Sequence, residues 1–463
     1  MPGYRSLPRV PGLVLLMVMA LAPLMLAQSR AARTTVFEGA RLIIGDDSPV
    51  IESGVLVVQG GKITAVGATG AVTVPAGATH VNLKGRTVMP AMVNAHVHIG
   101  YEGYTSWSVK NYTPDNVLDH LKRQAYYGIA ATQSVGSSPT EAALTFERDQ
   151  RAGKFAVASR FFFMPGMAPP GGGPDAILIK ATNENHSVYE VTTGAEARAA
   201  VQGMAAKGIK NVKIWVDDRR GTYPKMTPEV YNAVIAEAHA RNMLVQAHAI
   251  QMADQKAVVR AGADVLVHTV QNEPIDEELM ALLREKKPYW TTVIGLGDRS
   301  EACNNDPFVD ATYPKETLDE IHAKDCAPPA PTAANREVIL ANNLPKYLAN
   351  GARLVLGTDA GIDARHAFGW ADHHELTRWV RSGVKPAEAI IAATSRPAAL
   401  LGIQDLGTLA AGKSADFIVL MANPLEDINN TRRIDAVYMD GVALDRPAMA
   451  KSFRHEAAGE KKR

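Results

Sequence analysis

The sequence predicts an α/β fold: a (β/α)8 TIM-type barrel flanked by a small composite β-sandwich that both chain ends build together. Three observations predict it. Eight short apolar runs alternate with helix-like segments through the middle of the chain, the pattern of a parallel sheet. Residue types that ligate metals recur at the C-terminal ends of these runs, where such a barrel presents its reactive side chains. Both chain ends have a different texture, short β-type runs punctuated by turn signals. At 463 residues with 46% hydrophobic content, the chain can bury one large core and a smaller one. The expected organisation is a signal segment at 1–29, the first part of the β-sandwich at 30–89, the barrel at 90–402, and the rest of the sandwich with a polar tail at 403–463.

In chain order, Arg5 and Arg9 precede the apolar run 13–22, which continues past Pro23 to Ala27. The run falls short of the ~20 residues that span a bilayer, so it reads as an export signal, cut after Ser29 or nearby. Periplasmic or secreted localisation follows, with no membrane attachment once the signal is removed. Runs at 40–44, 54–58 and 62–66 come next, and Gly60-Gly61 between the last two signals a hairpin. The same texture returns at 416–420 and 436–439, the latter followed by Asp440-Gly441.

Between the ends, candidate barrel strands are 88–95, 130–135, 160–164, 211–215, 244–247, 265–267, 290–294 and 353–357. Thr113-Pro114-Asp115 and Thr227-Pro228-Glu229 each offer an N-cap, a proline at the first helical position and an acid in the first turn, so a helix should follow both. Two long interruptions follow the third and seventh strands. The stretch 165–175 has too much Gly and Pro for a regular element and should lie on the catalytic face. The second, 295–332, carries Cys303 and Cys326, the only two cysteines. In an exported protein such a pair reads first as a disulfide, contributing ~3 kcal/mol by restricting the unfolded chain.

Lysine and arginine total 49 against 48 aspartate and glutamate, so the formal charge of +1 provides no field for nucleic acid. The expected partner is a small molecule or short peptide, and a homo-oligomer is compatible with the sequence. The chemistry concentrates at the end of the first strand. Alternate residues of a strand share a face, so His96 and His98 can aim both imidazoles at one ion while Val97 packs the other way. Lys213 in NVKIW, His248 in LVQAHA, His268 in DVLVHT and Asp359 in LVLGTDAG follow in order, each in or just after an apolar run.

That ordered set resembles the amidohydrolase superfamily, most closely the binuclear members in which a lysine bridges two metal ions. The closing segment Gly407-Thr408-Leu409-Ala410-Ala411-Gly412-Lys413-Ser414-Ala415-Asp416-Phe417-Ile418-Val419-Leu420 carries the same likeness. The resemblance implies a metal-dependent hydrolase of the imidazolonepropionase-like or exported-dipeptidase-like branch, acting on carbon–nitrogen bonds. It implies His96, His98 and Asp359 on one divalent ion, His248 and His268 on the other, and a carbamylated Lys213 whose oxygens bridge them. Neutral imidazole suits zinc, and manganese, iron and nickel also fit. By the same likeness Asp359 is the catalytic residue that moves the proton of the attacking water to the leaving group. Two departures stand out. The family's usual Pro-Gly-Leu-Ile-Asp is here Pro90-Ala91-Met92-Val93-Asn94, and its frequent Arg-Asp after the second strand is Gln133-Ser134.

For substrate contact, Tyr223, Arg219 and Arg220 lie in the loop after Lys213, suited by charge-assisted hydrogen bonds to a carboxylate, and His373 begins a helix near Asp359. The expected reaction is hydrolysis of an amide bond in a small peptide or N-acyl amino acid. Competing readings are a mononuclear deaminase or cyclic-amide hydrolase, an esterase, lactonase or phosphotriesterase, and a non-catalytic binding protein on the same barrel, which would lack ligands that this chain retains.

Overall fold

The computed structural model describes residues 34–104, 106–174, 176–297, 306–323 and 331–454. The expected export signal and both cysteines lie outside the described residues. No helix among the described residues is long and apolar enough to cross a membrane.

Both chain ends join one eight-stranded sheet. Its order runs Val442–Ala443, Ile434–Met439, Phe417–Leu420, Thr87–Pro90, Thr34–Leu42, Ile51–Gln59, Lys62–Ala68, with Thr79–Asn82 also paired to Thr34–Leu42. The Gly60-Gly61 turn adopts φ of 58° and 79°, a region that glycine enters without steric cost, and so closes the expected hairpin. Alternation along Thr34–Leu42 puts Phe37 in one apolar cluster, with Leu56 and Phe417, and Val36 in another, with Val55 and Val57.

The expected first barrel strand, 88–95, is in fact two strands of different sheets. Thr87–Pro90 pairs antiparallel with Phe417–Leu420, and Met92–Val97 pairs parallel with Ile129–Val135. The crossing falls at Ala91, whose N–H donates to the Asp416 carbonyl at 3.0 Å. Both strands are buried on both faces, so the sequence reads as one continuous apolar run.

The barrel strands are Met92–Val97, Ile129–Val135, Arg160–Met164, Asn211–Trp215, Leu244–His248, Val265–Val267, Tyr289–Thr291 and Arg353–Leu354, the first three paired in parallel and the last five paired in parallel. The third strand corrects the expectation that the stretch after it is irregular. It resumes at Gly166–Ala168, turning from the second strand to the fourth at Pro165, whose carbonyl accepts from Lys213 N at 2.9 Å. A proline can occupy that break because it has no N–H to leave unpaired. Beyond it, Gly171 N donates to Glu190 Oε1 at 2.8 Å. The ring closes through Ala95 N to Leu356 O at 2.8 Å, Thr358 N to His96 O at 2.9 Å and His98 N to Ala360 O at 2.8 Å.

Thr113 caps helix Pro114–Tyr126 and Thr227 caps helix Pro228–Ala240, both with proline in the first turn. The described part of the second interruption, including helices Pro307–Asp310 and Lys315–Ala323, docks onto the barrel rather than standing clear of it. Tyr313 donates to Glu102 Oε1 at 3.0 Å, Trp370 Nε1 donates to Asp306 Oδ2 at 2.7 Å, and the Tyr127 hydroxyl donates to the Phe308 carbonyl.

Candidate active site

Five of the six expected ligands meet at the C-terminal end of the barrel through their side chains. His96 Nε2 lies 2.7 Å from Asp359 Oδ1, His98 Nε2 lies 3.4 Å from the same oxygen, and His268 Nε2 lies 3.7 Å from Asp359 Oδ2. His268 Nε2 is also 2.9 Å from His248 Nδ1. Lys213, the sixth, is 1% exposed, with Nζ 5.6 Å from the Trp215 ring centroid. Its charge works against protonation of His96, His248 and His268 alike, which places it among them electrostatically.

The backbone is bent to make this cluster. Asp359 adopts φ 56° and His268 φ 72°, left-handed values that cost non-glycine residues free energy and persist where the surroundings impose them. Two glycines permit close approach. A Cβ on Gly361 would sit 2.0 Å from the His98 carbonyl, and one on Gly357 would sit 2.6 Å from the His96 Cβ.

Asn94 holds the first strand against the eighth. Its Nδ2 donates to Asp372 Oδ1 at 2.7 Å and to Thr358 Oγ1 at 3.0 Å, and its Oδ1 accepts from His96 N at 2.8 Å. An aspartate here, the residue of the family pattern, could not donate to Asp372. The asparagine and the buried Asp372 are therefore matched to each other.

Burial first, then the neighbouring Lys213 charge, lowers the His96 pKa to about 4. Burial lowers His248 as well, and burial together with His248 lowers His268 far below its ordinary value. Burial opposes ionisation of Asp359, but the imidazoles of His96, His98 and His268 outweigh it and hold the carboxyl well below the usual range. His96, His248 and His268 are thus held toward the neutral form beside an anionic oxygen, donors that suit a divalent cation.

The packing fits such an ion. Both His96 ring nitrogens and both Asp359 oxygens are buried without a well-aligned hydrogen-bond partner, although His96 and Asp359 are in close contact. One atom of each, with one of His98, lies within reach of a single point. Among the described residues, His96, His98 and Asp359 form the one group of three or more histidine, cysteine or carboxylate side chains that each offer a ligand atom within 4.8 Å of the others'.

Two residues escaped the sequence reading. Asp217 Oδ2 lies 3.0 Å from His248 Nε2, on the ring edge away from His268. Burial opposes its ionisation, and the bonds from His248 and Arg219 outweigh that and hold its carboxyl low. Ser137 Oγ lies 3.1 Å from His98 Nδ1.

The expected substrate contacts fare differently. His373 is corrected: it is fully buried, donates from Nε2 to the Tyr127 carbonyl at 2.9 Å, and packs against Phe308. Its helix, Trp370–Arg381, turns that position toward the C-terminal end of helix Pro114–Tyr126. Arg219 reaches Asp217 and, through Nη2, the Gly173 carbonyl at 3.3 Å. Tyr223 lies partly buried near Gly171, and Arg220 is exposed.

A parallel barrel with buried imidazoles and one carboxylate at its C-terminal face defines a metal-dependent barrel hydrolase. The amidohydrolase family profile matches residues 87–444, and the chain belongs to that family. Ochratoxinase from Aspergillus niger is 25% identical over 443 residues, spanning 88% of this chain and 85% of that protein. Imidazolonepropionase from Deinococcus radiodurans is 24% identical over 424 residues, spanning 86% and 94%. Among solved structures, a Xaa-Pro dipeptidase with bound methionine in its active site superposes with a TM-score of 0.70 at 26% identity, covering 89% of this chain and 99% of that one.

Proposed function

We propose that this chain is an exported, binuclear amidohydrolase that hydrolyses an amide bond in a small peptide or N-acyl amino acid. One observation carries the reading: two pairs of buried imidazoles, His96 with His98 and His248 with His268, flank Asp359 with the buried Lys213 beside them. The first pair and Asp359 would hold one divalent ion and the second pair the other, zinc by first preference, with a carbamylated Lys213 bridging them. Bound there, the ions supply acidity to water and polarise the scissile carbonyl.

The chain's own residues do the rest. The lowered histidine pKa values keep their lone pairs available as ligands at neutral pH. Asp359 Oδ accepts the proton of the attacking water and releases it to the leaving nitrogen. Burial of the cluster excludes bulk water and strengthens each of these interactions.

Similarity to an ochratoxinase and to a Xaa-Pro dipeptidase supports an amide substrate, and the second supports one with a free carboxylate. Tyr223, Arg219 and Arg220 are the residues to receive that carboxylate. Export, a Cys303–Cys326 bridge, freedom from the membrane after signal removal and a homo-oligomeric state belong to the same proposal. So does a closed two-layer sandwich at the chain ends, supported by apolar burial on both sheet faces. A mononuclear deaminase or cyclic-amide hydrolase is the second reading, favoured by the similarity to imidazolonepropionase.

Purified protein is assayed on dipeptides, N-acyl amino acids, cyclic amides, esters, lactones and phosphotriesters. Turnover should be highest on a carboxylate-bearing amide, and amidating that carboxylate should cut kcat/KM roughly ten- to a hundredfold. Faster turnover of neutral lactones or phosphotriesters than of every such amide would overturn the substrate class.

A further inference from the structure

We infer that Asp217 is a positioning residue for His248: its carboxylate fixes which ring nitrogen carries the proton, and Arg219 ties that carboxylate to the Gly-rich loop after the third strand. The inference rests on the reading that His248 and His268 share a divalent ion.

An imidazole can ligate through one nitrogen only if the other carries its proton, and an acceptor on the far side selects that tautomer. In His248 the two nitrogens have separate partners. Nδ1 lies 2.9 Å from His268 Nε2, on the side of Asp359, and Nε2 lies 3.0 Å from Asp217 Oδ2. A proton on Nε2 is donated to Asp217, leaving the Nδ1 lone pair aimed into the cluster. The Asp217 side chain is only 5% exposed, so water competes little for this bond.

The backbone brings Asp217 there by register. Val216 N donates to the His248 carbonyl at 2.9 Å, continuing the pairing of the fourth and fifth strands and delivering the next residue beside the ring. Arg219 N then closes a turn on Asp217 Oδ1 at 3.0 Å, with Arg219 itself at φ 49°. The Arg219 guanidinium lies 3.5 Å from Asp217 Oδ2 and donates to the Gly173 carbonyl at 3.3 Å. Arg219 therefore joins the loop after the third strand to the Asp217 carboxylate, which in turn meets His248.

The test loads full-length protein with zinc(II) and follows its release to a chelator, with His248→Ala as control. Asp217→Ala should release one zinc equivalent ten- to a hundredfold faster than the parent, leaving the other equivalent unchanged. Asp217→Asn, which keeps volume and an acceptor oxygen but loses the charge, should fall between the two. Arg219→Gln should speed the same equivalent by a smaller factor. Parent-like release from Asp217→Ala overturns the inference, and so does a lowered Tm of the metal-free variant with unchanged release. Should Asp217→Ala not fold, the near-isosteric Asp217→Asn decides: faster release supports the inference and parent-like release overturns it. If His248→Ala keeps its full zinc, the two-ion reading has failed and this inference with it. If His248→Ala loses zinc while the Asp217 variants hold it, the positioning role alone is refuted.

Discussion

The two halves of the site are held in different ways. His96, His98 and Asp359 are fixed by backbone, since Thr358 N and Asp359 N both donate to the His96 carbonyl, at 2.9 and 3.1 Å, and His98 N donates to Ala360 O. Asn94 and Asp372 lock the same seam from within. His248 and His268 stand at the ends of strands five and six, and the His248 ring leans on Asp217 from a loop. His268 N in turn donates to Thr291 O at 2.8 Å and the His248 carbonyl accepts from Val216 N at 2.9 Å, so both halves stand on sheet backbone, and the difference lies in the His248 ring, which a loop carboxylate orients. Loop sequence can change around such a ring while the strand ends stay in place, which is how one barrel serves many substrates.

Substitution at Asp359 should have the largest effect. Asp359→Asn should lower kcat by about a thousandfold, within the usual range for loss of a general base, while retaining metal far better than turnover. Metal content and steady-state kinetics on the same sample check it, and parental turnover would remove Asp359 from the proton-transfer role.

Asn94→Ala attacks the seam itself. It deletes three buried hydrogen bonds and strands the Asp372 carboxyl, which burial already raises to about 7. Denaturant unfolding should show a loss of about 3–4 kcal/mol. A loss below about 1 kcal/mol would mean that strand pairing alone fixes the first half.

Glu102 lies in the segment that follows His98 and is buried there. Burial pushes Glu102 up to about 7, above the ordinary carboxyl value of 4.5 that the unfolded chain keeps. The sign follows from linkage: the folded state holds this proton longer, so the associated stability is fully present below about pH 4.5 and is lost as pH rises through about 7. The full loss is about 3 kcal/mol. Glu102→Gln mimics the protonated acid, so its Tm should fall less than the parent's between pH 5 and roughly pH 8. Parallel Tm profiles would show that Glu102 does not titrate there.

Much of this was legible in the sequence, for a physical reason. A strand alternates its faces and a barrel gathers strand ends, so His96, His98, His248, His268 and Asp359 could be placed together from order and spacing. The caps at Thr113 and Thr227 were legible because their chemistry is local. The partnership of Asn94 with Asp372 was not, because it spans 278 residues. Asp217 was hidden in a charge run that reads equally well as solvated surface. His373 was misplaced because helix phase, set by packing against Tyr127 and Phe308, decides its direction, and nearness in sequence to Asp359 does not. The third strand continued past Pro165 because the chain changes partners there.

Metal content in the parent and in Lys213→Ala decides whether the two halves hold two ions with Lys213 between them. The parent should carry close to two divalent ions per chain, and Lys213→Ala should lose most of one or both along with activity. One tightly bound ion in the parent, together with full activity in Lys213→Ala, would contradict the account.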